Sequence, residues 1–186
     1  MEIPKKLYNY HTNKPFEFCL KCNRFLLDGK VDYLLEKAFR NHSEYNVEEV
    51  IFDYAICMDC AMDMTNDLSR ESLASLQRYF SENVSMDRMN NLPQDPTQRM
   101  NHLMNTCLLK GTEKDDTPEY QLIARCRGNR ILTDIAPPYM ICSQAMEELN
   151  NVLSAKTIDE MNGFKDNFFG GPPELEDILK KPVILV

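Results

Sequence analysis

The amino-acid sequence predicts an α+β fold in which two related halves each combine a small β-hairpin or meander with helices. Three observations support this prediction. Two C-x2-C pairs occur within the first 60 residues. The β-rich run VIFDYAIC leads directly into CAMDMTNDL, which has few β-branched residues and predicts a helix. The sixteen residues that begin at Tyr54 also resemble the sixteen that begin at Tyr139.

Composition and charge restrict the class of protein before any motif is considered. The 186 residues are 43% hydrophobic, which is enough to build a core, and carry 21 Lys and Arg against 29 Asp and Glu. The formal net charge of −8 repels a phosphate backbone on average, so nucleic acid is not an expected partner. No run approaches the roughly 18 apolar residues that span a bilayer, and the N-terminus lacks the apolar stretch of a signal peptide. We therefore expect a cytoplasmic protein without a membrane interaction.

Seven cysteines are informative, because in a reducing cytosol such a number indicates metal ligands more than disulfides. Cys19 and Cys22 form one pair, Cys57 and Cys60 form the other, and 34 residues separate the pairs. Four thiolates in two such pairs suit tetrahedral zinc, because a two-residue spacer lets both sulfur atoms of a pair bind one ion. We expect one structural zinc ion per chain on these four side chains. The alternatives are buried apolar side chains, an iron–sulfur cluster and a thioredoxin-like redox pair.

The elements of the first half follow from the segments around these cysteines. FEFCLKCNRFLLDGK predicts a strand, a metal knuckle and a return strand that turns at Asp28-Gly29. VDYLLEKAFR continues as a strand or a short helix. VIFDYAIC predicts a strand that delivers Cys57 to the metal.

Two helices are expected next. The first begins at the second cysteine pair, where its free N–H groups stabilise thiolate charge. Ser69 is expected to cap the second helix, RESLASLQRYFSEN. A knuckle, a hairpin and a ligand-bearing helix together make a treble clef.

The stretch YAICMDCAMDMTNDLSRE resembles a known zinc-binding module. Its Y-x-I-C-x-D-C start and the following Asn-Asp are similar to the module that precedes the motor of the ClpX unfoldases, and the likeness covers about residues 19–70. The resemblance implies a treble clef that dimerises and docks adaptors and substrates, with the zinc structural. The implied ligands are Cys19, Cys22, Cys57 and Cys60. The ATPase half of that family is not implied, since no GxxxxGK[ST] loop occurs and the spacer between the cysteine pairs is longer.

A shift of 85 positions aligns the stretch at Tyr54 with the stretch at Tyr139. Six of the sixteen positions are identical, where chance alone gives about one. Cys22 to Cys57 and Cys107 to Cys142 are both 35 positions apart, in agreement with the same shift. The sequence therefore predicts a tandem duplication with a degenerate second copy at about residues 105–170.

The second copy has lost its metal ligands. Only Cys107 and Cys142 remain, whereas a tetrahedral site needs four ligands. Two alignments are open: Ala145 replaces Cys60 in both, with either Met104 in place of Cys19 or Lys110 in place of Cys22. We expect a metal-free copy that folds by burial, with the two cysteines as buried free thiols and a redox disulfide as the alternative.

Domain boundaries follow from the duplication. Residues 1–85 are the expected zinc-binding copy, residues 86–98 a polar linker with two prolines, and residues 99–186 the metal-free copy with a C-terminal tail. The terminal VILV is expected to add as an edge strand to the chain's own sheet. Because neither copy can build a generous core alone, we expect them to pack together as a pseudo-twofold monomer.

Catalytic motifs such as GxSxG, HExxH and phosphate-binding glycine loops do not occur in the sequence. We therefore expect a non-enzymatic, zinc-stabilised protein–protein interaction module of adaptor or regulatory type, with a protein partner that the sequence does not name. The alternatives are a thiol-based redox- or zinc-responsive switch and, against the acidic charge, a DNA-binding regulator.

Overall fold

A computed structural model describes residues 1–42, 44–45, 47–134 and 136–169, with Lys165 described for its backbone alone. These residues form a mixed structure of helices and an antiparallel sheet, in agreement with the predicted α+β class. None of the helices in this part of the chain has the length and apolar character needed to cross a membrane. The predicted edge strand VILV, residues 183–186, lies outside the described residues.

The first half contains a long hairpin followed by helices. Its elements are β1 (Asp32–His42), β2 (Val47–Cys57), α1 (Met58–Asp67), α2 (Arg70–Asn83) and the short α3 (Met86–Asn90). The segment VDYLLEKAFR, for which strand and helix were both open, is a strand. Helix α2 begins as predicted, because the Ser69 side chain accepts a hydrogen bond from the Ser72 N–H.

In the second half a helix precedes the strands, and further helices follow them. Its elements are α4 (Pro96–Asn105), β3 (Glu119–Arg127), β4 (Arg130–Ile131), β5 (Tyr139–Cys142), α5 (Ser143–Asn151) and α6 (Ala155–Phe169). Strands β4 and β5 both pair with β3, so the predicted meander, in which each strand pairs with the next, is wrong here, and β3 instead forms a hairpin whose second strand is interrupted between β4 and β5. The segment 86–98, predicted as a linker, contains α3 and the start of α4, and the domain boundaries stay predictions.

The two halves share one sheet. Within the described residues it has five strands in the order β2-β1-β3-β4, with β5 also paired to β3. Strands β1 and β3 pair antiparallel from Asp32 opposite Arg127 to Arg40 opposite Glu119. Both ends of this pairing carry ion pairs, between Arg127 and Asp32 and between Arg40 Nε and Glu119 Oε1 at 3.1 Å. Strand β1 is therefore central, and it is buried along most of its length.

Aromatic side chains connect α6 to the edge strand β2. The Phe164 and Phe169 rings of α6 lie 5.8 and 5.6 Å from the ring of Tyr54 on β2, and Phe169 also contacts Phe52. Large buried rings dominate the energetics of such a core. They fix α6 alongside β2 and next to α1.

Glu48 of β2 connects three other parts of the fold. Its carboxylate accepts hydrogen bonds from Lys6 Nζ at 3.0 Å, Lys114 Nζ at 2.8 Å and the Tyr120 hydroxyl at 2.6 Å. Burial raises the pKa of the Glu48 carboxyl, but these three hydrogen bonds outweigh burial and lower the pKa to about 2. The ionised form is thus stabilised in the folded state.

Replacing Glu48 with glutamine is expected to make the stability of the protein less sensitive to acid. Because the folded pKa lies below the ordinary value of 4.5, Glu48 stabilises the fold above pH 4.5, and this contribution is lost as the pH falls towards about 2. Thermal unfolding should therefore give a lower Tm for Glu48→Gln at neutral pH and a gap from wild type that closes in acid. Glu44→Gln, at an exposed turn, is the control. A gap that stays constant with pH would contradict the prediction.

Candidate metal centre

The first cysteine pair lies in a tight loop near the N-terminus. Phe18 and Phe25 form an antiparallel bridge at the base of this loop. Inside it, the Cys19 N–H donates to the Arg24 carbonyl and the Asn23 N–H donates to the Cys19 carbonyl, both at 2.9 Å. Asn23 has φ of 57°, a left-handed conformation that asparagine tolerates better than most residues. Backbone hydrogen bonds thus close the predicted knuckle.

The second cysteine pair spans the junction between β2 and α1. Strand β2 ends at Cys57, and Cys60 lies in the first turn of α1, as the sequence predicts. The Leu20 N–H donates to the Ala55 carbonyl at 2.9 Å, which ties the knuckle to β2. The Cys57 N–H also donates to Cys19 Sγ at 3.3 Å. These bonds bring the two pairs together although they are far apart in sequence.

The four predicted ligands form one cluster. The Sγ atoms of Cys19, Cys22, Cys57 and Cys60 all lie within 4.8 Å of one another, and those of Cys22 and Cys57 are 3.7 Å apart. A tetrahedral zinc ion with Zn–S bonds of about 2.3 Å places its sulfur atoms about 3.8 Å apart. The cluster therefore has the size and the donor atoms for one thiophilic metal ion. Three of the thiols are buried, and Cys22 is exposed.

The protein environment favours charge on one of these thiols and opposes it on others. Burial raises the pKa of Cys19, but the N–H groups of Cys57, Cys22 and Lys21 outweigh burial and lower it. Burial raises the pKa of the Cys57 and Cys60 thiols above the ordinary value. Four thiolates at this spacing repel one another, so holding all four deprotonated requires a bound cation.

A second loop has the same backbone hydrogen bonds but lacks the ligand set. The Cys107 N–H donates to the Thr112 carbonyl at 2.8 Å, and the Gly111 N–H donates to the Cys107 carbonyl at 2.8 Å. The Cys142 N–H donates to Cys107 Sγ at 3.3 Å, as the Cys57 N–H does to Cys19 Sγ. Cys107 thus makes the contacts of Cys19, which corresponds to a shift of 107 − 19 = 88 positions for this loop.

This correspondence distinguishes the two alignments left open by the sequence. Met104 lies in α4, outside the loop, whereas Lys110 occupies the position that Cys22 has in the first loop. Ala145 lies in the first turn of α5, as Cys60 lies in the first turn of α1. Cys107 and Cys142 are both buried. The hydrogen bond from the Cys142 thiol, together with backbone N–H groups, lowers the pKa of Cys107 to about 6 against the effect of burial.

Cationic side chains surround the second loop. Lys110 Nζ contacts Glu148 Oε2 at 2.5 Å and lies 5.6 Å from the centre of the Tyr79 ring. Arg88 Nη2 donates to the carbonyls of Leu108 at 3.1 Å and Leu109 at 2.9 Å. Sequence reasoning identified Lys110 through the CLLKG alignment, but missed Arg88, since nothing in its local sequence indicates this contact.

Comparison with protein-family models, curated proteins and solved structures finds no match for this chain. Among the described residues, the four-sulfur cluster is the group whose geometry can hold a metal ion. What the site can do is therefore judged from its own geometry.

Proposed function

We propose that this protein is a non-enzymatic protein–protein interaction module of adaptor or regulatory type, stabilised by one zinc ion. The four-sulfur cluster carries the proposal. Catalytic zinc sites keep one position open for water or substrate, whereas four protein thiolates fill the tetrahedron. The ion would therefore stabilise the loop, the hairpin and α1 as a unit.

Exposed aromatic side chains beside the cluster support a role in binding other proteins. Phe18 and Phe25 are 48% and 43% exposed, and their ring centres are 5.5 Å apart. At the corresponding place on the second loop, Thr106 Oγ1 donates a hydrogen bond to Glu113 Oε1 at 3.1 Å. The polar groups of this pair thus bond to each other, and the second loop has no exposed aromatic pair there. Exposed apolar groups of this kind favour contact with a partner.

We infer that the knuckle, the β1–β2 hairpin and α1 form a treble clef similar to the zinc module of the ClpX unfoldases. The order of the elements and the ligand at the start of α1 support this inference. A cytoplasmic location and the absence of nucleic acid among the partners stay proposals from composition and charge.

We further propose that the chain is a tandem duplication that folds as a pseudo-twofold monomer. Reciprocal contacts support the duplication. The ion pairs Asp32–Arg127 and Glu119–Arg40 exchange roles when β1 and β3 are interchanged by a shift of 119 − 32 = 127 − 40 = 87 positions.

The N-termini of α2 and α6 make a second reciprocal contact. The Ser69 N–H donates to Thr157 Oγ1 at 3.1 Å, and the Ser154 N–H donates to Ser72 Oγ at 2.9 Å. Ser69 and Ser72 correspond to Ser154 and Thr157 by the shift of 85 positions found in the sequence. A closed pairing within one chain predicts a monomer of 21.7 kDa on gel filtration.

A redox- or zinc-responsive switch is the second candidate function. The observation that favours it is the exposure of Cys22, whose Sγ lies 3.7 Å from that of Cys57. One equivalent of peroxide would convert these two thiols to a disulfide and two molecules of water. The loss of two ligands would then release the metal.

Elemental analysis before and after mild peroxide distinguishes the two functions. Protein purified without added metal is expected to contain one zinc per chain, because one four-thiolate cluster is present in the described residues. The interaction module should keep this zinc through the treatment, since the bound thiolates are poor nucleophiles. Release of zinc with formation of a Cys22–Cys57 disulfide would favour the switch. Two zinc ions, or coloured iron, would contradict the four-thiolate assignment.

A further inference from the structure

A groove separates α1 from α6 next to the metal-binding loop. Its floor is apolar and is formed by Met64, Leu68, Met161, Phe164 and Phe168. The groove has a volume of about 240 Å³. This is below the range of about 300–1,000 Å³ that is typical of small-molecule pockets. The space suits a few side chains of another protein. We call this surface the α1–α6 groove.

The corresponding surface of the second half is closed. By the shifts given above, Met161, Lys21 and Met64 correspond to Leu76, Leu109 and Leu149. Those three leucines are 6%, 3% and 0% exposed. Tyr79, which corresponds to Phe164 of the groove, donates a hydrogen bond of 2.7 Å from its hydroxyl to Glu148. Side chains of the second half thus fill one surface, whereas the described residues leave the α1–α6 groove open.

A glycine borders the groove in the middle of α6. Gly163 has helical neighbours on both sides, and outside its own helix backbone a Cβ atom added to it would meet no atom of the described residues within 4 Å. Glycine in a helix interior destabilises the helix relative to alanine, and no contact with the part of the chain that the structure describes explains the presence of Gly163. A glycine at this position lets another backbone or a large side chain approach the helix closely.

The rim of the groove is mainly acidic. Asp67 of α1 and Glu160 of α6 both line it, one on each helix, and Asp63 lies one turn before Asp67 on the exposed side of α1. Lys21, from the loop between Cys19 and Cys22, is the basic residue at the rim. Both helices that border the groove thus carry a negative charge, and its lining between them is apolar and contains methionine. Such a surface complements a helix that has one apolar and one basic face.

We propose that the α1–α6 groove binds a basic amphipathic helix of a partner protein. This inference rests on the proposed function, because it assigns the surface and the partner chemistry of the interaction module. Lys21 lies between the two cysteines of the first pair, so the metal ion fixes one end of the groove. Apolar side chains of the partner fill the floor, and its basic side chains pair with Asp67 and Glu160.

A designed peptide provides the test. A fluorescent helix of about 18 residues, made of leucine and lysine to give one apolar and one basic face, is titrated with the zinc-loaded full chain. A leucine–glutamate peptide with the same apolar face is the control. The lysine peptide is expected to bind at least about tenfold more tightly, and the double variant Asp67→Lys/Glu160→Lys should reverse this preference. Equal binding of both peptides to the wild-type chain would overturn the proposal.

Two variants at matched positions separate binding from folding. Gly163→Met should fill the groove and lower the affinity for the lysine peptide at least about tenfold without lowering Tm, since methionine is the better helix former. Arg78→Met, at the corresponding exposed position of α2, should leave binding unchanged. Unchanged binding by Gly163→Met would overturn the proposal. So would a wild-type dimer that Gly163→Met converts to a monomer, because a second copy would then be the occupant.

Zinc content, measured on the same samples, keeps the two proposals distinguishable. A chain that retains one zinc ion but binds neither peptide would overturn the α1–α6 groove as a docking site and leave the metal centre intact. A chain that folds and binds the lysine peptide without any zinc would support the groove and contradict the zinc-stabilised scaffold.

Discussion

Replacing Cys60 with alanine is expected to abolish zinc binding and to unfold the first half of the chain. Cys60 supplies one of four sulfur atoms that lie within 4.8 Å of one another, and three thiolates do not complete the tetrahedron. The apparent binding free energy of a structural zinc site is about 10–16 kcal/mol, which equals or exceeds the total stability of about 5–15 kcal/mol of a typical domain. Elemental analysis should find no zinc, and thermal unfolding should no longer show the cooperative transition of the wild-type chain.

The control is Cys142→Ala, at the position of the second half that corresponds to Cys57. Cys142 is buried at the end of β5 and directly precedes α5, as Cys57 ends β2 and directly precedes α1. It belongs to no four-ligand cluster among the described residues, so the change should cost only the about 1–2 kcal/mol of an ordinary buried truncation. Zinc content should remain at one per chain. Equal damage from the two substitutions would mean that the second loop also depends on a metal ion.

The double variant Lys110→Cys/Ala145→Cys is expected to create a second zinc site. Backbone hydrogen bonds place Lys110 where the first loop has Cys22, and Ala145 lies in the first turn of α5, as Cys60 does in α1. With Cys107 and Cys142 already present, the two new thiols complete a set of four ligands. Zinc content should rise from one to two per chain, and chelator titration should resolve two steps.

A variant based on the other alignment tests this correspondence. Met104→Cys/Ala145→Cys also gives the second half four cysteines, but residue 104 lies in α4, outside the loop. It should therefore remain at one zinc per chain. A second zinc ion in this control, or its absence from Lys110→Cys/Ala145→Cys when circular dichroism is that of wild type, would contradict the proposed duplication of the metal-binding loop.

Much of the candidate metal centre could be predicted from the sequence, because its determinants are local. A two-residue spacer fixes how two sulfur atoms can meet one ion, whatever the rest of the chain does. The start of α1 at the second cysteine pair and the cap of α2 at Ser69 follow from residue preferences within a few positions. What brings the two pairs together is the long-range bond from the Leu20 N–H to the Ala55 carbonyl.

Strand β1 illustrates a limit of local reasoning. The segment VDYLLEKAFR reads equally as strand or helix, since its apolar residues follow neither a period of two nor one of 3.6 clearly. In the structure it lies between β2 and β3 and is buried along most of its length. A central strand is buried on both faces, so it lacks the alternation of apolar and polar residues by which a half-exposed strand is recognised. β1 is central only because β3 of the second half pairs with it.

The α+β class, the four-cysteine ligand set and the 85-position similarity could be predicted without a structure, because spacing, periodicity and capping act within a few residues. The folded chain sets the pairing of β1 with β3, the correspondence of Lys110 with Cys22, and the binding of Arg88 to the second loop. It also sets which helix groove is filled and which is open. These outcomes depend on contacts between residues far apart in the chain. Which residues meet is set by how the whole core packs and not by local conformational preference.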